Sequence, residues 1–318
     1  MRITEQQSVI LGQTPTDIEE MCKFIELGGR VCYKSEDKIT LDSSVGFVKR
    51  MIRSGHHSVL EHSNIVFKIS EGGSEIDRWF AAFGERIRFH EMEIFHGDLY
   101  INGNLRAWAD TLYTHMINNK MMHALYWVFT ENFGFLFDRS AKGNDSCDGN
   151  AISIVTDMQD IPVRLRKYTA RTITNRAMTH EIVRHRIDSA YSQESQRSVA
   201  YDGEMEFIKP IWAKDVHPTS ILGKSVLTQQ ESSIWLNTCA TIEAVYKSLR
   251  ECGLKPQQAR EVLPNSCKTE IVVTRGYFAW LWFFQLRCDK NADPMMQDMA
   301  GKLKDRFVSN FPEFKECF

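Results

Sequence analysis

The segment that most constrains this chain lies in its last third. Thr269 to Leu286 is dense in apolar residues, and Tyr277 to Phe284 is an unbroken apolar run. A helix needs about 20 apolar residues to cross a bilayer, so this run must be covered by protein rather than lipid. That requires a core able to bury aromatic surface, which 318 residues can build as a single domain spanning 1–318 with a segment inserted in it. The cysteines are scattered with no Cys-x-x-Cys pair and read as reduced thiols. The opening MRITEQQSVI has no apolar signal region, so the expectation is a soluble, cytoplasmic protein with no membrane partner.

Local patterns divide the rest. Ile18, Met21, Cys22 and Ile25 repeat at helical spacing over 17–33, where Gly28-Gly29 either stop the helix or let it pack closely. A second helix runs from Thr40 toward Gly55, and Ile65, Phe67 and Ile69 alternate as in a strand. The stretch 71–160 reads as helical near 75–90 and 105–133, with a polar loop at 140–150. Residues 163–173 alternate again, and Thr174-Asn175 can cap a helix reaching about Arg184. Helical patterns cover 229–253, 256–262 and 293–310.

Two signatures fail. His180-Glu181-Ile-Val-Arg184-His185 places its second histidine one residue too late for a zinc-peptidase helix, so no metal site is expected, and no phosphate-loop or dinucleotide glycine motif occurs. A basic cluster remains. Arg164, Arg166, Lys167, Arg171, Arg176, Arg184, Arg186 and Arg197 face only Glu181, Asp188 and Glu194 within 164–197, although Lys+Arg total 39 against Asp+Glu 41 over the chain. Arginine forks suit phosphate, and the bland alternative is a solvated face paired with acids elsewhere. Polar residues between Arg186 and Arg197 read as a loop able to hold a phosphate and a polar heterocycle. Arg287, closing the aromatic segment, either snorkels from a helix end or sits in a dry aromatic pocket where its field acts on a bound ring. Aromatic residues are sparse in the cluster, so no nucleic-acid partner is expected.

Together these segments resemble the flavin-dependent thymidylate synthase family. Arg184-His185-Arg186, eight residues, then Ser195-Gln196-Arg197 follows that family's signature. Gly55-His56-His57-Ser58-Val-Leu-Glu61-His62, Gln258-Ala259-Arg260 to Leu263-Pro264, and Leu286-Arg287 resemble three further blocks, while 71–160 stands where the family has a short connection. The resemblance implies an α+β fold: a twisted, mostly antiparallel sheet among long helices, with a mainly helical insertion. It implies reductive methylation of dUMP at C5 to dTMP, with methylenetetrahydrofolate and NADPH as co-substrates, FAD as cofactor, and a homotetramer with shared sites.

By position, Glu181, Arg184, Gln193, Glu194, Ser195, Gln196, Arg197 and Arg260 would bind the nucleotide. Ser58, Arg184, His185, Arg186 and Gln193 would bind FAD, and Arg287 would activate the uracil ring. The chain has no Pro-Cys pair of the kind that supplies a nucleophilic cysteine in the other class of thymidylate synthase. Gln193 and Ser198 depart from the family's usual residues, as do Gly276, Phe278 and Trp282, which stand where it usually holds flavin. Asn102 to Trp108 echoes Thr274 to Trp280, setting Asn104 opposite Gly276 and Arg106 opposite Phe278, so the insertion is a candidate to supply the missing Asn-x-Arg. The alternatives are methylation or hydroxymethylation of UMP, and a flavin-free binding or regulatory relative.

Overall fold

The structure is a computed structural model that describes residues 1–70, 76–79, 89–113, 120–140, 151–216 and 229–318. Its strands are β1 (Arg2–Thr4), β2 (Gln7–Gln13), β3 (Ile65–Ile69), β4 (His90–Phe95), β5 (Asp98–Gly103), β6 (Ile152–Ile154), β7 (Lys167–Asn175), β8 (Ser189–Gln193), β9 (Glu206–Ile208) and β10 (Lys268–Gly276). The longer helices are α1 (Ile18–Tyr33), α2 (Ser43–Arg53), α3 (Leu105–Tyr113), α4 (Lys120–Phe133), α5 (Arg176–Ile182), α6 (Gln230–Glu251), α7 (Tyr277–Arg287) and α8 (Pro294–Asn310).

The central sheet has the order β2-β7-β10-β8 and is antiparallel throughout. The apolar stretch that opened the analysis splits in two at Gly276, into β10 and α7. One face of the sheet carries an aromatic core in which Tyr168, Trp280, Phe283, Phe284 and Phe307 are buried together. On the other face α1 approaches β8 and β10. Asp17 caps α1 by accepting from the amides of Glu19 and Glu20. The glycine pair serves close packing: a Cβ at Gly28 would lie 2.9 Å from the His62 ring, and one at Gly29 2.5 Å from the Phe47 ring.

The insertion builds a second antiparallel sheet, β4-β5-β3-β6, on the edge offered by β3. The helices expected over 105–133 are present as α3 and α4, but the hairpin β4–β5 was not foreseen, because its apolar residues alternate too weakly to reveal strands. Of the helix expected over 75–90, residues 76–79 are helical, 75 and 80–88 lie outside the described residues, and His90 opens β4 instead; of the loop expected over 140–150, residues 141–150 lie outside the described residues. Trp108 anchors the insertion by donating from Nε1 to the Ile65 carbonyl, and the Leu105 amide donates to Ser63 Oγ. Sequence reading also missed β1, β2, β6 and β9, and it took 187–194 for a loop where β8 pairs with β10. Among the described residues no helix is long and apolar enough to cross a membrane.

A buried polar line stitches the central sheet. Thr14, Thr169 and Thr274 share hydroxyl hydrogen bonds of 3.0 and 2.8 Å, and His62 bridges Thr274 Oγ1 (2.8 Å) to Ser192 Oγ (2.9 Å). Burial lowers the His62 imidazole to about 4. An unfolded chain protonates histidine near pH 6.5, so this contribution to stability is complete above that pH and is lost as pH falls toward 4, by roughly 3 kcal/mol. The urea midpoint should therefore drop between about pH 7 and about pH 4.5. His62→Leu, less stable at neutral pH by about 2–4 kcal/mol through its stranded hydroxyl partners, should decline less steeply. An equally steep decline in that variant assigns the acid sensitivity to another group.

Candidate functional site

The turn after α5 carries Arg184, His185 and Arg186, and α7 returns over it because β10 ends beside β8. Arg287, near the C-terminal end of α7, donates from Nε to His185 Nε2 (2.8 Å), from Nη1 to Glu181 Oε2 (2.6 Å) and from Nη2 to the Glu181 carbonyl (3.2 Å). Its guanidinium is thus oriented on three sides and stays partly accessible, at 19% side-chain exposure. Burial, then the cations Arg275 and Arg287, lower His185 to about 4, so at neutral pH the ring is neutral and can accept from Arg287.

Arg184, His185, Arg186 and Arg287 line a cavity of about 520 Å³ together with Arg164, Phe278 and Trp282, and Glu181 stands behind Arg287. Both aromatic side chains are 56% exposed. Guanidinium forks beside open aromatic faces are suited to an anionic ligand carrying a flat ring. The cluster read as either a phosphate site or a paired face divides between the two. Arg166 pairs with Glu313, Lys167 with Asp188, and Arg171 with Glu36 and Glu270, whereas Arg164, Arg184 and Arg186 line the cavity. Burial alone would raise the Glu270 carboxyl, but Lys268, Lys34 and Arg171 hold it down to about 2.

The guanidinium in a dry aromatic cage is Arg275, not Arg287. Arg275 is fully buried, 4.4 Å from the Phe283 ring centroid and 4.9 Å from that of Trp280, and donates from Nη2 to the Ile182 carbonyl and the Tyr191 hydroxyl. Burial pushes its pKa below the ordinary arginine value. Sequence reasoning passed over it, although a cation ending the apolar run of Ile271 to Thr274 was the available signal.

The remaining expected residues lie elsewhere. Gln193 donates to Thr179 Oγ1 and Thr269 Oγ1, and Glu194 is buried, accepting from the Tyr201 hydroxyl. The Ser195 amide donates to the Cys32 carbonyl, Gln196 is half-buried, and Arg197 is exposed. Exposed Arg260 lies 3.9 Å from Glu261, and Ser58 is exposed on the turn His57–Glu61. None of these lines the arginine cavity.

Asn104 and Arg106 line an adjoining cavity of about 440 Å³, which shares Glu91, Arg186, Ile187 and Asp188 with the first. Arg106 pairs there with Glu61 (2.6 Å) and Asp110 (3.5 Å). Asn104 caps α3 by accepting from the Ala107 amide.

A packing detail accounts for Gly276. A Cβ there would lie 1.7 Å from Asp188 Oδ2, so the Asp188 carboxylate, bound to Lys167, fills the space a side chain would need. Asp188 itself has φ +44°, in the left-handed region.

The residues thus gathered on an α+β scaffold set cations and exposed aromatic rings around one cavity. The sequence profile of the family described as "Thymidylate synthase complementing protein" matches residues 16–77 and 153–313. The chain belongs to that family. Flavin-dependent thymidylate synthases are among its relatives. That of Geobacter sulfurreducens is 34% identical over 129 residues, covering 41% of this chain and 50% of the relative. That of Mycobacteroides abscessus is 32% identical over 148 residues, covering 44% and 58%. The chain spans about half the length of the curated relatives it matches. A solved structure titled as a UMP/dUMP methylase, PolB from Streptomyces cacaoi bound with 5-Br UMP, superposes with a TM-score of 0.42 at 13% identity, covering 100% of this chain and 96% of that one.

Gly276→Ala should be destabilising by about 1–3 kcal/mol, because the new methyl collides with the Asp188 carboxylate. Asp188→Gly, which suits the left-handed backbone, removes the obstacle. The Gly276→Ala/Asp188→Gly double variant should therefore be more stable than the sum of the single effects allows. Additive changes in thermal unfolding would dissociate the two positions.

Proposed function

We propose that this chain is a flavin-dependent thymidylate synthase that methylates dUMP at C5, with methylenetetrahydrofolate as carbon donor and NADPH as reductant. The observation that carries this reading is Arg287, oriented by Glu181 and His185 at the wall of a cavity with three further arginines.

Uracil C5 is a weak nucleophile. A guanidinium beside N3 and O4 favours the ionised ring and moves electron density toward C5 without a covalent bond to the enzyme. Neutral His185 accepts the Arg287 Nε–H and so holds the fork in one orientation. Glu181 takes one Nη1 hydrogen, which leaves other N–H groups available to substrate oxygens.

The donor set of the arginine cavity fits a flavin nucleotide's phosphates and one ring: Arg164, Arg184 and Arg186 would hold the phosphates, and Phe278 and Trp282 offer stacking faces. When bound, the flavin supplies reducing equivalents, so the folate need not be oxidised. Polar contacts from position 276 are replaced by the Asp188 carboxylate, so phosphate and stacking contacts would carry more of the binding.

Arg184-His185-Arg186 and Ser195-Gln196-Arg197 stand at opposite ends of β8, roughly 20 Å apart at about 3.3 Å per residue. That separation supports a site completed by Ser195 to Arg197 of another copy, in a homotetramer. Tritium release from C5-labelled dUMP, with methylenetetrahydrofolate, NADPH and FAD supplied, tests the reading. Turnover is expected from the unaltered chain and should fall about 10²–10³-fold in Arg287→Ala. No release from the unaltered chain refutes the reaction, and undiminished release from the variant removes Arg287 from the chemistry.

A further inference from the structure

Half the wall of the adjoining cavity of about 440 Å³ comes from the insertion, in the stretch between 77 and 153 that the family match leaves uncovered. Its charges are mostly satisfied within the chain: Arg106 binds Glu61, and Lys167 binds Asp188. Glu91 is different. Among the described residues its side chain makes no hydrogen bond or ion pair, although it lines both cavities. Burial and the neighbouring Asp188 raise its carboxyl, and Lys167 and Arg164 oppose that rise.

Two other features give this wall a polarity. Asn104 commits its Oδ1 to the Ala107 amide at 2.8 Å, so the Nδ2 end is the one left to face a ligand. Asn102, two residues earlier, pairs directly across from Glu91 in the β4–β5 register, which sets the carboxylate and the Asn104 amide on neighbouring positions of one surface. The wall therefore presents acceptors from Glu91 beside a donor from Asn104. Phe89 and Ile187 line the same cavity and are 69% and 86% exposed, which supplies two apolar faces for a flat ring.

We propose that this cavity is a binding site for a 2-amino-4-oxopyrimidine edge, as carried by a guanine nucleotide or a pterin. Such an edge presents an exocyclic amine, a ring N–H and a carbonyl in a row. The Glu91 carboxylate accepts from the amine and the ring N–H, the Asn104 amide donates to the carbonyl, and the ring lies between Phe89 and Ile187. Arg186, without a hydrogen bond or ion pair among the described residues and at the border of the two cavities, is placed to meet an anionic substituent. The pterin source rests on the folate-dependent reading above; the guanine source does not.

Calorimetric titration of the full chain with GMP and with 5-formyltetrahydrofolate tests the site, with IMP, which lacks the exocyclic amine, as the control for GMP. At least one of the two probes should bind. GMP, if it is the source, should bind at least tenfold more tightly than IMP. Glu91→Gln and Asn104→Asp reverse one polarity each with almost no change in shape, and the second keeps the oxygen that caps α3. Each should weaken the bound probe about tenfold to a hundredfold. Phe89→Ala, at an exposed position outside the arginine cavity, should weaken the probe while leaving dUMP affinity unchanged.

Failure of both probes to bind, equal binding of GMP and IMP with no folate binding, or a folate affinity untouched by Glu91→Gln and Asn104→Asp would overturn the proposal. Turnover of dUMP by a chain that binds neither probe would refute this site alone. Binding of GMP by a chain with no dUMP turnover would refute only the methylation reading.

Discussion

A carboxylate stands where position 276 would otherwise carry a side chain, and much of the site depends on that substitution of space. Asp188 can fill it because Gly276 lacks a Cβ and because Lys167 supplies the opposing charge. Burial alone would lower the Lys167 ammonium's pKa, but Asp188 and Glu91 raise it, so the ammonium keeps its charge. The Gly276 amide also donates to the Asp188 carbonyl at 3.3 Å. The arginine turn is thereby fastened to the point where β10 becomes α7, and Arg287 comes back over Arg184 and His185.

Beneath that contact lies a second constraint, the burial of Arg275. Removing a guanidinium from water is unfavourable by several kcal/mol unless its hydrogens and charge are met. Here a carbonyl at the end of α5, the Tyr191 hydroxyl and the faces of Trp280 and Phe283 meet them in part. One side chain therefore ties β10 to α5, β8 and α7, the elements that position the cavity. Burial chiefly, and then its positive field, keep His185 neutral, and neutrality is what lets that ring accept from Arg287.

The insertion is part of this arrangement. It extends a strand edge of the core and closes one wall of a cavity that shares residues with the arginine site. Some of its charged residues are balanced against core partners, Arg106 against Glu61 and Asp98 against Lys68. Glu91, a carboxylate without such a partner among the described residues, lies where the two cavities meet.

Much of this was legible in the sequence. Helical periodicity located α1, α2, α6 and α8 to within a few residues, since each buries a continuous stripe. The motif spacing marked Arg184 to Arg186 and Arg287 as partners because chemistry restricts which residue types can act together. Strands β1, β2, β4, β5, β6 and β9 escaped notice: short strands carry little periodic signal, and apart from the β4–β5 hairpin their pairing partners lie far away in the chain. Sequence alone determined the family, the helices and the arginine set. Only the tertiary structure decided which arginine is caged by aromatics, which are neutralised by distant acids and which face a cavity, because charge pairing and burial depend on distances between residues that the linear order does not contain.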